Sequence, residues 1–222
     1  MMEEPTVPRR ARLLEVAQRL ELALSEAHVD QLLAYLDLLQ RWNGTYNLTA
    51  VRDPERMLTQ HVADCLAVIA PLRRHLGTDE PRRLLDVGSG GGLPGIVIAI
   101  LNPTIDVTCV DTVGKKAAFI QQVAASLRLR NLHSQHARVE QMKAAPFDVV
   151  ASRAFASLPD FVGLTRQHLA ADGVWLAMKG KDPTDERAEL PADIDVFHVE
   201  QLNVPGLDAE RCLIWMRSKP SL

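Results

Sequence analysis

Leu84-Leu85-Asp86-Val87-Gly88-Ser89-Gly90-Gly91-Gly92-Leu93-Pro94-Gly95 is the most informative stretch of this 222-residue chain. Leu84 to Val87 reads as a buried strand and Pro94 suits the first turn of a helix, so the glycines fall where a strand gives way to a helix. Glycine there lets the backbone take positive φ and lets a ligand approach the main chain with no Cβ in the way. In an open α/β sheet, ligands bind outside the carboxyl ends of the strands. Four glycines between 88 and 92 cost backbone entropy that a plain turn would not need, so the stretch reads as a ligand loop.

Working outward, short apolar runs alternate with helical segments from Arg82 onward. Strands are expected at Leu84 to Val87, Ile105 to Val110, Leu132 to His136, Phe147 to Ala151 and Val174 to Met178. Helices fit between them at about 94–101, 115–127, 158–170 and 183–190. That alternation predicts a mainly parallel, doubly wound sheet. Two last strands, near 194–203 and 211–217, are joined by Asn203-Val204-Pro205-Gly206 and read as an antiparallel hairpin at one sheet edge. The expected architecture is a Rossmann-like α/β fold with a mainly parallel seven-stranded sheet, the outline of a class I methyltransferase. The first 80 residues read instead as helices. Arg9 to Leu24 forms one, and a second is capped by Ser25 and stopped by Asn43-Gly44. A third starts at Asp53-Pro54 and is ended by Pro71. Two regions follow, a helical one over 1–80 and the α/β domain over 81–222.

Hydrophobic residues make up 47% and charged residues 24%, the balance of a globular protein rather than a disordered one. No apolar run approaches the roughly 18 residues that would span a bilayer. Met1-Met2-Glu3-Glu4 lacks the apolar block of a secretory signal. Cys65, Cys109 and Cys212 are widely spaced, form no C-x-x-C pair and read as buried thiols of a reduced, cytoplasmic protein. No metal site is expected. Net charge is −3, but residues 81–153 hold nine basic and five acidic side chains. That segment is a candidate basic face for an anionic partner.

Gly90-x-Gly92-x-x-Gly95 formally matches the dinucleotide fingerprint, which keeps a nicotinamide oxidoreductase open as an alternative. Two features favour S-adenosylmethionine (SAM). Asp86, two residues before the first glycine, suits a ligand ammonium and opposes a pyrophosphate. The loop is also longer by two glycines than a compact phosphate turn. Asp111, 23 residues after Gly88, ends the second strand where a carboxylate accepts from ribose hydroxyls. That feature is common to both cofactors.

Beyond the loop, Asp111-Thr112-x-x-Lys115-Lys116, Arg138-Val139-Glu140 and Ser152-Arg153-Ala154-Phe155 follow in order. Upstream stand Trp42-Asn43, Tyr46-Asn47-Leu48-Thr49 and His61-x-x-Asp64-Cys65-Leu66. Together with the glycine loop these resemble the bacterial 16S ribosomal RNA methyltransferase G family, also called glucose-inhibited division protein B. The resemblance implies SAM-dependent methylation of N7 of guanine-527 in small-subunit ribosomal RNA, free or in the subunit particle. By the same resemblance Gly88 and Leu93 contact the cofactor from the loop, Val139 and Glu140 border its adenine, and Arg153 lies by the cofactor; Gly90 is a further cofactor-binding candidate of the loop.

Guanine N7 has an in-plane lone pair and no proton, so no catalytic base is expected and the task is positioning and charge placement. The chain carries no Asn/Asp-Pro-Pro-aromatic motif after its fourth strand, and none of its cysteines follows a proline at a strand end. Arg153 is a candidate donor to a guanine oxygen. His61 and Asp64 share a helical face and are expected to tie the helical region to the sheet domain, with His61 a secondary candidate for the RNA. Lys115, Lys116 and Lys179 are the other RNA candidates, with Arg128, Arg130, Arg138 and Lys181 as phosphate contacts. Phe155 is the best-placed stacking candidate. The chain is expected to act as a monomer away from membranes. A methyltransferase of another RNA or of a small molecule, and a noncatalytic ribosome-binding factor, remain the alternatives.

Overall fold

The structure is a computed structural model and describes residues 8–77 and 80–219. The Met1 to Glu4 segment lies outside them. Seven strands, β1 (Arg82–Val87), β2 (Ile105–Asp111), β3 (Leu132–His136), β4 (Phe147–Ser152), β5 (Leu169–Lys179), β6 (Ile194–Leu202) and β7 (Arg211–Ser218), form one sheet in the order β3-β2-β1-β4-β5-β7-β6. The first five run parallel, while β7 is antiparallel to both β5 and β6. The expected terminal hairpin is present, with β6 on the edge and the last strand inserted beside β5. Strand order reverses between β1 and β4, so the loops after these strands diverge and leave a crevice at their carboxyl ends.

Side chains alternate across the sheet. Leu84, Val107, Val149 and Leu176 face one apolar cluster, and Leu85, Val110, Val150 and Trp175 face the other. The helical region joins the first cluster. Helix α2 (Glu26–Tyr46) buries Val29, Leu32, Leu36 and Leu39 at helical spacing, and these pack in the same cluster as Ile96, Val97 and Phe119. Each of those leucines contributes roughly 1.5–3 kcal/mol. Helix α1 (Arg9–Arg19) adds Leu13 and Val16 from outside.

Several boundaries differ from expectation, each for a local reason. Helix α1 stops at Arg19, because Glu21 takes a left-handed φ of 54°. Helix α2 runs past Asn43-Gly44 to Tyr46, where Asn47 supplies the left-handed cap. Asn43 is buried, and its amide serves the returning chain: it donates to Val51 O and accepts from Thr49 N. The Asp53-Pro54 start is observed, and α3 (Pro54–Met57) continues through a π-helical turn (Leu58–Ala63) into α4 (Asp64–Leu66). Pro71 ends nothing; it sits in the first turn of α5 (Ile69–Leu76), where backbone N–H groups lack intrahelical acceptors and proline is tolerated. Helices α6 (Gly95–Leu101) and α7 (Gly114–Ser126) follow β1 and β2. Helix α8 (Leu158–Thr165) is shorter than expected, since a 3-10 turn leads directly into β5, which starts five residues early. A short α9 (Thr184–Ala188) precedes β6.

Candidate active site

Three adjoining cavities lie along the carboxyl edge of the sheet. The first, about 390 Å3, lies above β1 and β2 and is walled by Val87, Val110, Val113, Val139 and Phe155, with Asp111 and Glu140 as its carboxylates. Gly88 and Ala154 are shared with the second, about 180 Å3, whose walls include Gly90, Leu93, Thr49 and Arg153. His61 and Arg153 are shared in turn with the third, about 380 Å3, which also takes in Asp64, Lys179 and Arg211. Together they fall in the range of roughly 300–1,000 Å3 usual for small-molecule sites.

The glycine loop closes the first two cavities. Gly88 has a φ of 68°, and a Cβ there would stand 3.0 Å from Ala154 Cβ, so a side chain would be strained and would plug the crevice. Gly95 packs against β2 so tightly that a Cβ would meet Cys109 Sγ at 2.4 Å. Asp111 holds the loop to β2. Its Oδ2 accepts from Gly90 N at 2.9 Å and its Oδ1 from Val113 N at 2.9 Å. Each oxygen retains lone pairs toward the crevice, the acceptor arrangement a ribose diol requires. Helix α2 braces the loop from behind, where buried Tyr35 donates its hydroxyl to Gly91 O at 2.8 Å.

Asp86 is placed differently from the expectation of an ammonium contact. It is fully buried beneath the loop and walls none of the three cavities. Its Oδ2 accepts from Gly95 N at 2.9 Å, while Oδ1 has no partner. Burial pushes its carboxyl up to about 6, against the opposing pull of the Gly95 N–H and the Ser89 hydroxyl. A strand-end carboxylate can face the ligand or the following turn, and the sequence is the same in both cases.

Between the second and third cavities the helical region meets the sheet domain through charge. Asp64, 2% exposed, accepts from Arg153 Nη1 at 3.1 Å and from Arg211 Nε at 3.0 Å. The expected tie between the two regions therefore runs through two arginines. His61 takes no part in it; its Nε2 meets Thr49 Oγ1 at 2.8 Å and its Nδ1 is buried without a partner. Burial, reinforced by Arg153, lowers its imidazole to about 4, so His61 is neutral at ordinary pH.

The basic candidates separate. Lys116 walls the first cavity and lies 3.9 Å from Asp111. Lys115 is exposed and walls none of the cavities. Lys179 reaches the third cavity, but its ammonium is held by Glu186 at 2.8 Å and by the carbonyls of Phe155 and Ala156. Arg138 and Lys181 lie 3.8 Å from Glu140 and Glu210 respectively. Phe155 stacks on Phe161, with ring centroids 5.1 Å apart, and faces the first cavity. The three cysteines are buried free thiols; burial raises Cys65 and Cys109 far above the ordinary range. Thr49 enters the sequence reading only as part of the Tyr46–Thr49 motif, and nothing local in the sequence marks Arg211, Val113 or Leu164 as site residues. Arg211 lies 147 residues from the Asp64 it pairs with, a distance no local pattern spans.

Solved structures with this fold include a ribosomal protein L11 methylase from Lactobacillus delbrueckii subsp. bulgaricus (TM-score 0.52, 18% identity, 68% of this chain and 77% of that one). A SAM-dependent methyltransferase from Thiobacillus denitrificans, solved with S-adenosyl-L-homocysteine, matches at TM-score 0.50 and 12% identity over 68% of this chain and 90% of its own. The sheet order and the glycine-lined crevice define a class I SAM-dependent methyltransferase. Residues 28–214 match the family model described as rRNA small subunit methyltransferase G, and the chain belongs to that family. The Ribosomal RNA small subunit methyltransferase G of Paracidovorax citrulli (strain AAC00-1) is 64% identical over 91% of this chain and 87% of its own length. That of Leptothrix cholodnii is 62% identical over 96% and 97%. Membership selects methyl transfer over the nicotinamide alternative. No helix among the described residues is long and apolar enough to cross a membrane.

Proposed function

We propose that the chain methylates N7 of guanine-527 in 16S ribosomal RNA, acting as a cytoplasmic monomer in which the helical region, residues 1–80, buttresses the SAM-binding domain, residues 81–222. The observation that carries this reading is the line of cavities: a crevice suited to an adenosyl group leads past Gly88 to a narrow waist, and beyond His61 and Arg153 to a polar chamber. When bound, SAM supplies an electrophilic methyl group.

The chain's own residues bind and orient. Asp111 accepts from the ribose hydroxyls. Val113, Val139 and Phe155 enclose the adenine, with Glu140 at its polar edge. Gly88, Gly90 and Leu93 shape the waist around the methionine moiety. Arg153 stands at the junction, where its guanidinium donates toward a guanine O6 and leaves N7 free. The N7 lone pair would form the new N–C bond as the sulfonium S–CH3 bond breaks; its electron pair would stay on sulfur in the neutral thioether that leaves, no proton leaves, and the positive charge passes to the product ring. Asp64 offsets one of the two guanidinium charges beside that ring. Neutral His61, tied to Thr49, shapes the wall between waist and chamber.

Borohydride and aniline treatment of small-subunit RNA, followed by primer extension, tests the assignment. Cells lacking the protein are expected to lose the N7-methyl cleavage at guanine-527, and restoring it requires the intact chain. A cleavage signal that persists without the protein overturns the assignment.

A further inference from the structure

The chemistry above leaves unused one exposed ring on the turn that leads into the wall of the waist. Tyr46 closes α2 and is 42% exposed. It stands two residues before Leu48, which with Thr49 walls the waist beside Arg153. The turn that carries it is braced: Asn43 holds Thr49 N at 2.8 Å and Val51 O at 3.0 Å, and Thr49 meets His61 at 2.8 Å. Trp42 packs against the ring at 5.1 Å between centroids, fixing its orientation. One cation lies on the turn: Arg52 is exposed, donates to Asn47 Oδ1 at 3.1 Å, and among the described residues has no carboxylate partner. This rim differs from the surface around Lys179, Arg138 and Lys181, whose charges are matched by glutamates.

We propose that the Tyr46–Arg52 rim is a contact surface for single-stranded RNA, with Tyr46 as a stacking platform for a nucleobase adjoining the target guanine and Arg52 as a phosphate contact. The inference rests on the ribosomal RNA methyltransferase reading and extends it to how the strand is held. A guanine that enters the chamber between His61 and Arg153 leaves its stack, and its neighbour loses one π-face contact. An aromatic ring already fixed at the mouth replaces that contact at little entropic cost, whatever the neighbour's identity. Arg52 neutralises a neighbouring phosphate and adds a salt-dependent term.

The test compares the full-length chain with Tyr46→Leu, Tyr46→Phe and Arg52→Gln, using small subunits that lack the modification, and SAM. Leucine keeps an apolar contact with Trp42 and removes the π-face. Tyr46→Leu is expected to raise KM for the subunit by roughly 5- to 150-fold, the value of one base stack. Its dissociation constant for SAM and its melting midpoint should stay near those of the parent. Tyr46→Phe restores KM to within about twofold. Arg52→Gln should weaken subunit binding and flatten its dependence on salt. Three results overturn the proposal: an unchanged KM in Tyr46→Leu, an equal loss of SAM and subunit affinity in that variant, or a Tyr46→Phe defect as large as that of leucine. If the parent chain transfers no methyl group to small-subunit RNA, the functional reading itself fails, an outcome distinct from these three.

Discussion

Asp86→Asn separates two roles for one carboxylate. If Asp86 contacted the ammonium of SAM, as its position two residues before the glycines suggests, asparagine would remove a charged hydrogen bond worth about 1.5–3 kcal/mol. SAM affinity would then drop roughly 10- to 150-fold. The structure instead has Asp86 accept from Gly95 N at 2.9 Å, out of reach of the cavities, and asparagine keeps that acceptor. SAM affinity is therefore expected to change less than about threefold, well under 1 kcal/mol. Stability should respond in the opposite sense to a lost contact. The folded carboxyl, raised by burial from 3.8 to about 6, binds its proton more tightly than the unfolded chain does. Its contribution is thus fully present below pH 3.8, falls as pH rises toward and through about 6, and is flat above. The total is on the order of 3 kcal/mol. Asparagine removes this slope, so the variant should be more stable than the parent at pH 8 and should lose the advantage at pH 5. Isothermal titration with SAM and urea unfolding at the two pH values read both quantities. A SAM affinity reduced tenfold or more, together with lower stability at pH 8, would refute the brace and restore the ammonium contact.

Gly88→Ala forces a left-handed φ on alanine, at about 1–2 kcal/mol, and sets a methyl against Ala154 at the crevice mouth; titration should show SAM affinity lowered at least about tenfold. Asp64→Ala leaves Arg153 and Arg211 without their shared carboxylate and is expected to cost about 3–5 kcal/mol in urea unfolding, with methyl transfer lost even where the protein stays folded. Lys116→Glu should weaken SAM binding, because it sets a carboxylate beside Asp111; Lys115→Glu should leave SAM binding intact and lower subunit affinity. Equal behaviour of the two lysine variants in both assays would refute the division between them.

Much of the fold was legible because its signals are local. Buried central strands such as β1, β2 and β4 read as short apolar runs, and all seven strands of the sheet lie within a few residues of their expected places. Ser25 and Asp53-Pro54 mark helix starts that satisfy their own backbone. The errors fall where a distant partner decides. Asn43-Gly44 looks like a stop, yet the Asn43 amide is taken by Thr49 and Val51, and the helix continues. Pro71 looks like an end, yet it occupies a first turn that tolerates it.

The sequence alone determined the glycine loop, the strand–helix alternation and the family, because steric freedom, hydrophobic period and motif order are written along the chain. The tertiary structure decided which way each polar side chain faces. It turned Asp86 under the loop, set Lys116 beside Asp111 at the first cavity, capped Lys179 with Glu186 and joined Asp64 to two arginines, one of them 147 residues away. The reason is physical: a buried charge costs several kcal/mol until it is paired, and the partner is whichever group packing brings within about 3 Å, regardless of sequence distance.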